Sequence, residues 1–175
     1  SGSNPFPAAV SNNGKAVLDD PMELLLQIDG KKQKFVALSS EVLEKADDVY
    51  RAAGLMQSED QSLYLKWRLM LAYDGMLRYD LSLIPTGKAV HINHLQVRAI
   101  LPAENSRYAL APNYQDDWKT NGKVEAFPSL WSTGTRRGFC LFSDNDANWF
   151  YPDRKEPLCL QRLPDGRAEL TAKLI

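Results

Sequence analysis

The stretch from Ser62 to Pro85, SLYLKWRLMLAYDGMLRYDLSLIP, decides how the rest of the chain can fold. In its first arm Leu63, Leu65, Trp67, Leu69 and Leu71 alternate with Tyr64, Lys66, Arg68 and Met70. In its second, Leu77, Tyr79, Leu81 and Leu83 alternate with Arg78, Asp80 and Ser82. A period of two is that of a strand. A two-residue turn at Asp74-Gly75 would set Leu71 against Arg78 and Leu69 against Asp80, mixing apolar and polar faces. A three-residue loop, Tyr73-Asp74-Gly75, with Gly75 left-handed as a G1 bulge, keeps the faces apart. It predicts Leu71 opposite Leu77, Leu69 opposite Tyr79, Trp67 opposite Leu81 and Leu65 opposite Leu83. The same register sets Arg68 opposite Asp80, a cross-strand pair of opposite charge. Arms of about ten residues span roughly 33 Å, so this ribbon needs other elements laid over its apolar face.

Working outward on the N-terminal side, Ser39-Ser40 offers a helix N-cap and Glu41 a first-turn carboxylate. Val42, Leu43, Ala46, Val49, Tyr50 and Ala53 then fall at helical spacing before a stop at Gly54. An amphipathic helix over about 40–53 is therefore expected, packed on the long hairpin. Before it, Met22, Leu24, Leu26 and Ile28 alternate, Asp29-Gly30-Lys31-Lys32 breaks the pattern and Gln33–Leu38 resumes it, a first hairpin. Residues 1–20 read as a tag remnant (Ser1-Gly2-Ser3) and a flexible lead-in containing Pro5, Pro7 and Asn12-Asn13-Gly14. The natural N-terminus is then missing, and residues 21–175 form one domain.

On the C-terminal side a third long strand runs from about Ala89 to Leu101, with a bulge near Asn93-His94. Tyr108–Ala111 reads as a short strand. From Pro112 to Arg137 neither period is sustained, apart from a short strand over Val124–Phe127. Such long irregular segments are uncommon in a compact domain and tend to be functional or disordered. Gly138–Ser143 is a strand, and Pro164-Asp165-Gly166 fits the same three-residue loop, pairing Leu160 with Leu170, Leu158 with Ala172 and Gln161 with Glu169. The order of elements predicts an α+β fold: an antiparallel, strongly twisted sheet of long hairpins, closing as far as a half-barrel, packed on the one helix.

Composition narrows the function classes. With 175 residues the chain can bury one real core, and a net charge of −1 with interspersed signs gives no footprint for nucleic acid. No apolar run reaches the ~20 residues of a spanning helix, so the chain reads as soluble with no membrane segment. Cys140 and Cys159 can form one disulfide or stay as two thiols.

No complete catalytic set is present. His91 and His94, the only histidines, are three apart on a strand and point to opposite faces, which disfavours a shared metal. Asp144, Asp146 and Asn148 match the opening of an EF-hand loop, but Trp149 stands where glycine is required and Lys155 where the bidentate Glu belongs. Cys140 sits mid-strand as a structural thiol, and Ser132–Gly138 reads as a turn rather than an anion nest. No metal or cofactor is expected.

Aromatic and polar residues do concentrate in 108–154. The leading expectation is a non-catalytic, protein-binding domain. Its surface comprises Tyr114, Trp118, Phe127, Trp131 and Arg136 in segment 112–137, and Asp144, Asp146, Asn148 and Trp149 in the loop 144–149. One alternative is a small transferase or hydrolase of toxin or effector type using His91 or His94 with Arg136 and an acidic residue from 116–146. A second is a carbohydrate-binding module, which requires exposed rings lying flat along one groove.

Overall fold

The computed structural model describes residues 5–112, 122–143 and 157–175. Its strands are β1 (Ser11–Asn12), β2 (Lys15–Ala16), β3 (Glu23–Ile28), β4 (Lys31–Gln33), β5 (Phe35–Lys45), β6 (Val49–Ser58), β7 (Leu63–Ala72) and β8 (Leu77–Pro85). Then come β9 (Ile92–Leu101), β10 (Tyr108–Leu110), β11 (Lys123–Ala126), β12 (Ser129–Thr133), β13 (Gly138–Phe142), β14 (Leu158–Arg162) and β15 (Ala168–Lys173). The described residues contain no α-helix, only a single 3-10 turn at Ala103–Asn105. The expected α+β class is therefore corrected to an antiparallel β architecture. The residues fall into two compact units, 26–93 and 6–25 with 94–175.

The first unit is built on the open sheet β5-β6-β7-β8. The β7–β8 hairpin has the register expected from its alternation: Leu71 faces Leu77, Leu69 faces Tyr79, Trp67 faces Leu81, Leu65 faces Leu83 and Arg68 faces Asp80. Gly75 is left-handed at φ 86°, and the loop closes with Ala72 N–H donating to Met76 O and Gly75 N–H to Ala72 O, both at 3.0 Å. The Asp80 carboxylate accepts from Arg78 on its own strand, at 3.1 Å. Turn chemistry and facial alternation together leave one register.

The stretch 40–53, expected as a helix, is instead the greater part of a second hairpin, β5–β6, turning where Ala46 N–H donates to Val49 O. Two bulges explain the misreading. The register slips between Ala37 and Ser39 and again between Val42 and Glu44. The residues of β5 sharing one face are then Phe35, Ala37, Ser40, Val42 and Lys45, a spacing of two and three that blurs the strand period. Val42 and Leu43, the supposed buried stripe, are 58% and 53% exposed. What fixes the strand is the second edge of β7, whose backbone groups pair with β6 from Val49 to Gln57. Tertiary pairing overrides local periodicity here. Gly54 is not a helix stop; it lies opposite Trp67, whose ring sits against its Cα.

β3 and β4 join through Asp29-Gly30, both with positive φ (48° and 76°), a two-residue type I′ turn.

The second unit contains the sheet order β11-β14-β15-β9. Val124, Ala126, Leu158, Leu160, Ala168, Leu170, Ala172, Val97, Ala99 and Leu101 share its inner face and are buried. The β14–β15 hairpin repeats the central loop: Gly166 has φ 86° and donates to Leu163 O, and Leu160 faces Leu170, Leu158 faces Ala172 and Gln161 faces Glu169, as expected. A second sheet, β10-β12-β13, packs its inner face, with Leu130 and Ser132 fully buried, toward β14 and β15. Residues 6–20, composed like a lead-in, bury Phe6, Val17 and Leu18. The side chain of Asn105, itself buried, donates to Ala16 O and Val17 O at 3.0 and 3.2 Å.

Candidate functional site

Strict alternation in Ser129–Thr133 sends Leu130 and Ser132 inward and Trp131 outward. Registers on either side extend the outward face: Leu110 and Cys140 flank Trp131, Tyr108 and Gly138 flank Thr133, and Phe142 lies beside Ser129. Tyr108, Trp131 and Phe142 are therefore diagonal neighbours across three strands, each step about 7–8 Å between Cα atoms. All three are open to solvent, at 46%, 48% and 53%, as is Leu110 at 54%. The result is a line of three rings roughly 15 Å long on one exposed sheet face.

The face is held from beneath. Ser132 Oγ donates to Asn105 O at 3.2 Å. Beyond Thr133 the chain turns back with Gly134 N–H donating to Arg137 O at 2.7 Å and Thr133 Oγ1 donating to the same carbonyl at 3.0 Å. Gly134 is obligatory, because a Cβ there would collide with Glu104 O. Cys140, beside Trp131, is a free thiol whose burial pushes its pKa up to about 11, so it is unreactive near neutrality. Cys159 is also free, and burial raises its pKa too.

The tip of this turn collects positive charge. Arg136 is exposed, Arg137 is half-buried, and Arg107, next to Tyr108, places its guanidinium carbon 5.9 Å from the centroid of the Tyr108 ring.

Of the residues singled out from sequence, Trp131 lies at the centre of this face and Arg136 at its end. Phe127 is half-buried in the connection between β11 and β12, on a cis bond to Pro128. Tyr114, Trp118, Asp144, Asp146, Asn148 and Trp149 lie outside the described residues. Tyr108, Leu110 and Phe142 were missed because the face emerges only from the β10-β12-β13 register. The alternation of SLWST and GFCLF around Gly134 is the signal that could have found it.

The histidines sit elsewhere. His91, in the first unit, has Nδ1 3.9 Å from Asp29 Oδ1 and 3.3 Å from Asn93 Nδ2, and is largely exposed. In the second unit, burial and the charge of Lys173 lower the His94 pKa against a hydrogen bond with Gln96. A shallow cleft in the first unit is lined by Ile28, Asp29, Asp60, Thr86 and Lys88. Among the described residues no group of histidine, cysteine and carboxylate side chains is arranged to hold a metal.

No curated protein and no solved structure matches the chain. A family profile does: that of the glycoside hydrolase 123 third domain, over residues 4–135. That match spans well over half the sequence and includes Tyr108 and Trp131, and the chain belongs to the glycoside hydrolase 123 third-domain family.

Proposed function

We propose that this chain is a non-catalytic binding domain of a carbohydrate-related protein, and that its recognition surface is the outward face of β10-β12-β13. The observation that carries this reading is the diagonal of exposed rings, Tyr108, Trp131 and Phe142, on one sheet face. Aromatic faces carry negative charge density above the ring and attract the polarised C–H groups on the apolar face of a sugar. Rings fixed on strands lose little freedom on binding, which favours even modest contacts. Family membership supports a glycan as the ligand.

The test is a titration of the folded protein with oligosaccharides of increasing length, followed by tryptophan fluorescence and calorimetry. Trp131→Ala should weaken binding about fivefold or more, since loss of a stacked ring is worth on the order of 1 kcal/mol or above. Its circular dichroism should stay native, because the side chain is half-exposed. Undiminished glycan affinity in Trp131→Ala would sink the reading.

A protein partner is the second reading. The observation favouring it is Leu110, which stands beside Trp131 on the same face and adds aliphatic surface of little use to a sugar. Tyrosine, tryptophan and arginine together are also the residue types of protein hot spots. Capture of a protein through Trp131 with no glycan bound would favour it.

A further inference from the structure

The rings are only half of what the β10-β12-β13 face presents. Because β10 is antiparallel to β12 with Tyr108 opposite Thr133, Arg107 lies level with Gly134. The backbone positions of Arg107, Arg136 and Arg137 therefore lie at one end of the aromatic line, the Tyr108 end, where the Arg107 guanidinium is over the Tyr108 ring. Among the described residues the Phe142 end is bordered by Ser129, Pro128 and Ser143, all uncharged.

Among the described residues none of the three guanidiniums is paired with a carboxylate; the ion pairs of this unit involve Arg98, Lys123 and Arg167 instead. Among the described residues Glu104 stands near this end, in the 3-10 turn whose backbone abuts Gly134, and it is exposed. A guanidinium lying over a ring keeps its N–H edges free, and those edges match carboxylate or sulfate oxygens in a planar fork. Net charge near zero over the whole chain makes this gathering of three arginines against Glu104 a property of the site rather than of the composition.

Resting on the glycan reading above, we infer that the ligand is an anionic glycan. Its sugar faces lie along Tyr108, Trp131 and Phe142, and its carboxylate or sulfate group is held at the Tyr108 end by Arg107, Arg136 and Arg137. A line of roughly 15 Å with a charged terminus orients the chain: the anionic residue enters at the Arg end, and uncharged sugars follow toward Phe142. Neutral glycans would use the rings alone.

The test compares three hexasaccharides at about 0.1 M salt, where exposed charges act over about 10 Å. They are oligogalacturonate, chondroitin sulfate and cellohexaose. We expect at least one of the anionic hexamers to bind about tenfold tighter than the neutral one, as two or so charge-assisted contacts of exposed groups would give. Preference for galacturonate over chondroitin sulfate assigns the anion as carboxylate; the reverse preference, lost when the chondroitin is desulfated and left with its glucuronate carboxylates alone, assigns it as sulfate. In the Arg136→Gln/Arg137→Gln variant the ratio of anionic to neutral affinity should fall toward one, with the spectrum of the fold unchanged because both lie in a surface turn.

Equal affinity for all three hexamers would overturn the inference while leaving a glycan-binding face. Anion binding that survives Trp131→Ala would overturn it as well, since that is unspecific attraction to polyanions. Binding of none of the three would remove the glycan reading and this inference together.

Discussion

Gly54→Ala tests whether the stretch once readable as a helix is a strand locked against β7. Gly54 is opposite Trp67 on one side and Ser40 on the other. A Cβ at position 54 would lie 2.5 Å from Trp67 Cζ2, 2.6 Å from Trp67 Cε2 and 2.7 Å from Ser39 O. All three are closer than carbon atoms tolerate, and two belong to a rigid indole that cannot fold away as a flexible side chain would. Its backbone has no positive φ, so alanine also restricts the unfolded chain and recovers about 0.4–1 kcal/mol. Overpacking of this kind costs about 1–3 kcal/mol. The balance is a loss of about 1–2 kcal/mol.

Urea unfolding followed by far-ultraviolet circular dichroism would read that loss as a midpoint lower by roughly 1 M, for a slope of about 1–2 kcal/mol per molar. The decisive experiment is the cycle with Trp67→Leu. Removing the ring removes two of the three collisions and leaves the Ser39 carbonyl, so Gly54→Ala should cost less in that background, with a coupling of about 1 kcal/mol. A helix-terminating glycine has no reason to know what occupies position 67. An unchanged midpoint, or the same cost in both backgrounds, would refute the packing argument.

Asn105→Ala removes the only donor that Asn105 offers to the carbonyls of Ala16 and Val17 in a buried setting. We expect a loss of about 1–3 kcal/mol in chemical unfolding and faster proteolysis within residues 6–20; an unmoved midpoint would count against it. Asp60 is pushed up by desolvation but more than brought back by hydrogen bonds from Ser58 Oγ, Ser62 N–H and Ser62 Oγ, which leave its pKa below the ordinary value. A lowered carboxylate pKa gives stability that is present above the unfolded value, near 3.9, and lost as pH falls through the folded one. Asp60→Asn should therefore flatten the acid limb of a stability profile below about pH 4, and an identical limb would exclude the role.

The legible part of the fold was the part whose pattern is local. In 62–85 and 158–173, uninterrupted alternation and an Asp-Gly loop specify register without help from the rest of the chain, and both registers are as expected. β5 was illegible because Leu38 and Leu43 occupy its two bulges, shifting the face twice within eleven residues. Bulges of this kind are a common guard on an edge strand, since they twist its free hydrogen-bonding groups away from other chains. The feature that protects the edge is thus the one that disguised it as a helix. The aromatic face was half legible for a different reason. Trp131 could be singled out by residue type, but Phe142, 11 residues on, joins it only if SLWST and GFCLF are read as a hairpin around Gly134, and Tyr108, 23 residues back, joins it through a pairing that no hairpin signals.

Asn105 connects these arguments. Its side chain fastens Ala16 and Val17, and its carbonyl accepts from Ser132, the inward neighbour of Trp131. The backbone beside it, at Glu104, abuts Gly134 at the start of the arginine turn. Ser106, the next residue, accepts from Arg162 through its carbonyl at 3.1 Å. A buried polar cluster satisfied in this way holds β12, and Trp131 with it, in one position. On the glycan reading proposed above, Asn105→Ala should then weaken glycan binding as well as the fold, and with a signature that separates the two. Below the unfolding transition, where the population remains native, affinity should drop mainly through slower association, as a loosened β12 spends less time with its rings aligned. Trp131→Ala should instead act on dissociation, because it removes a contact rather than an alignment. Equal changes in the two rates for both variants would break the link between the buried cluster and the binding face.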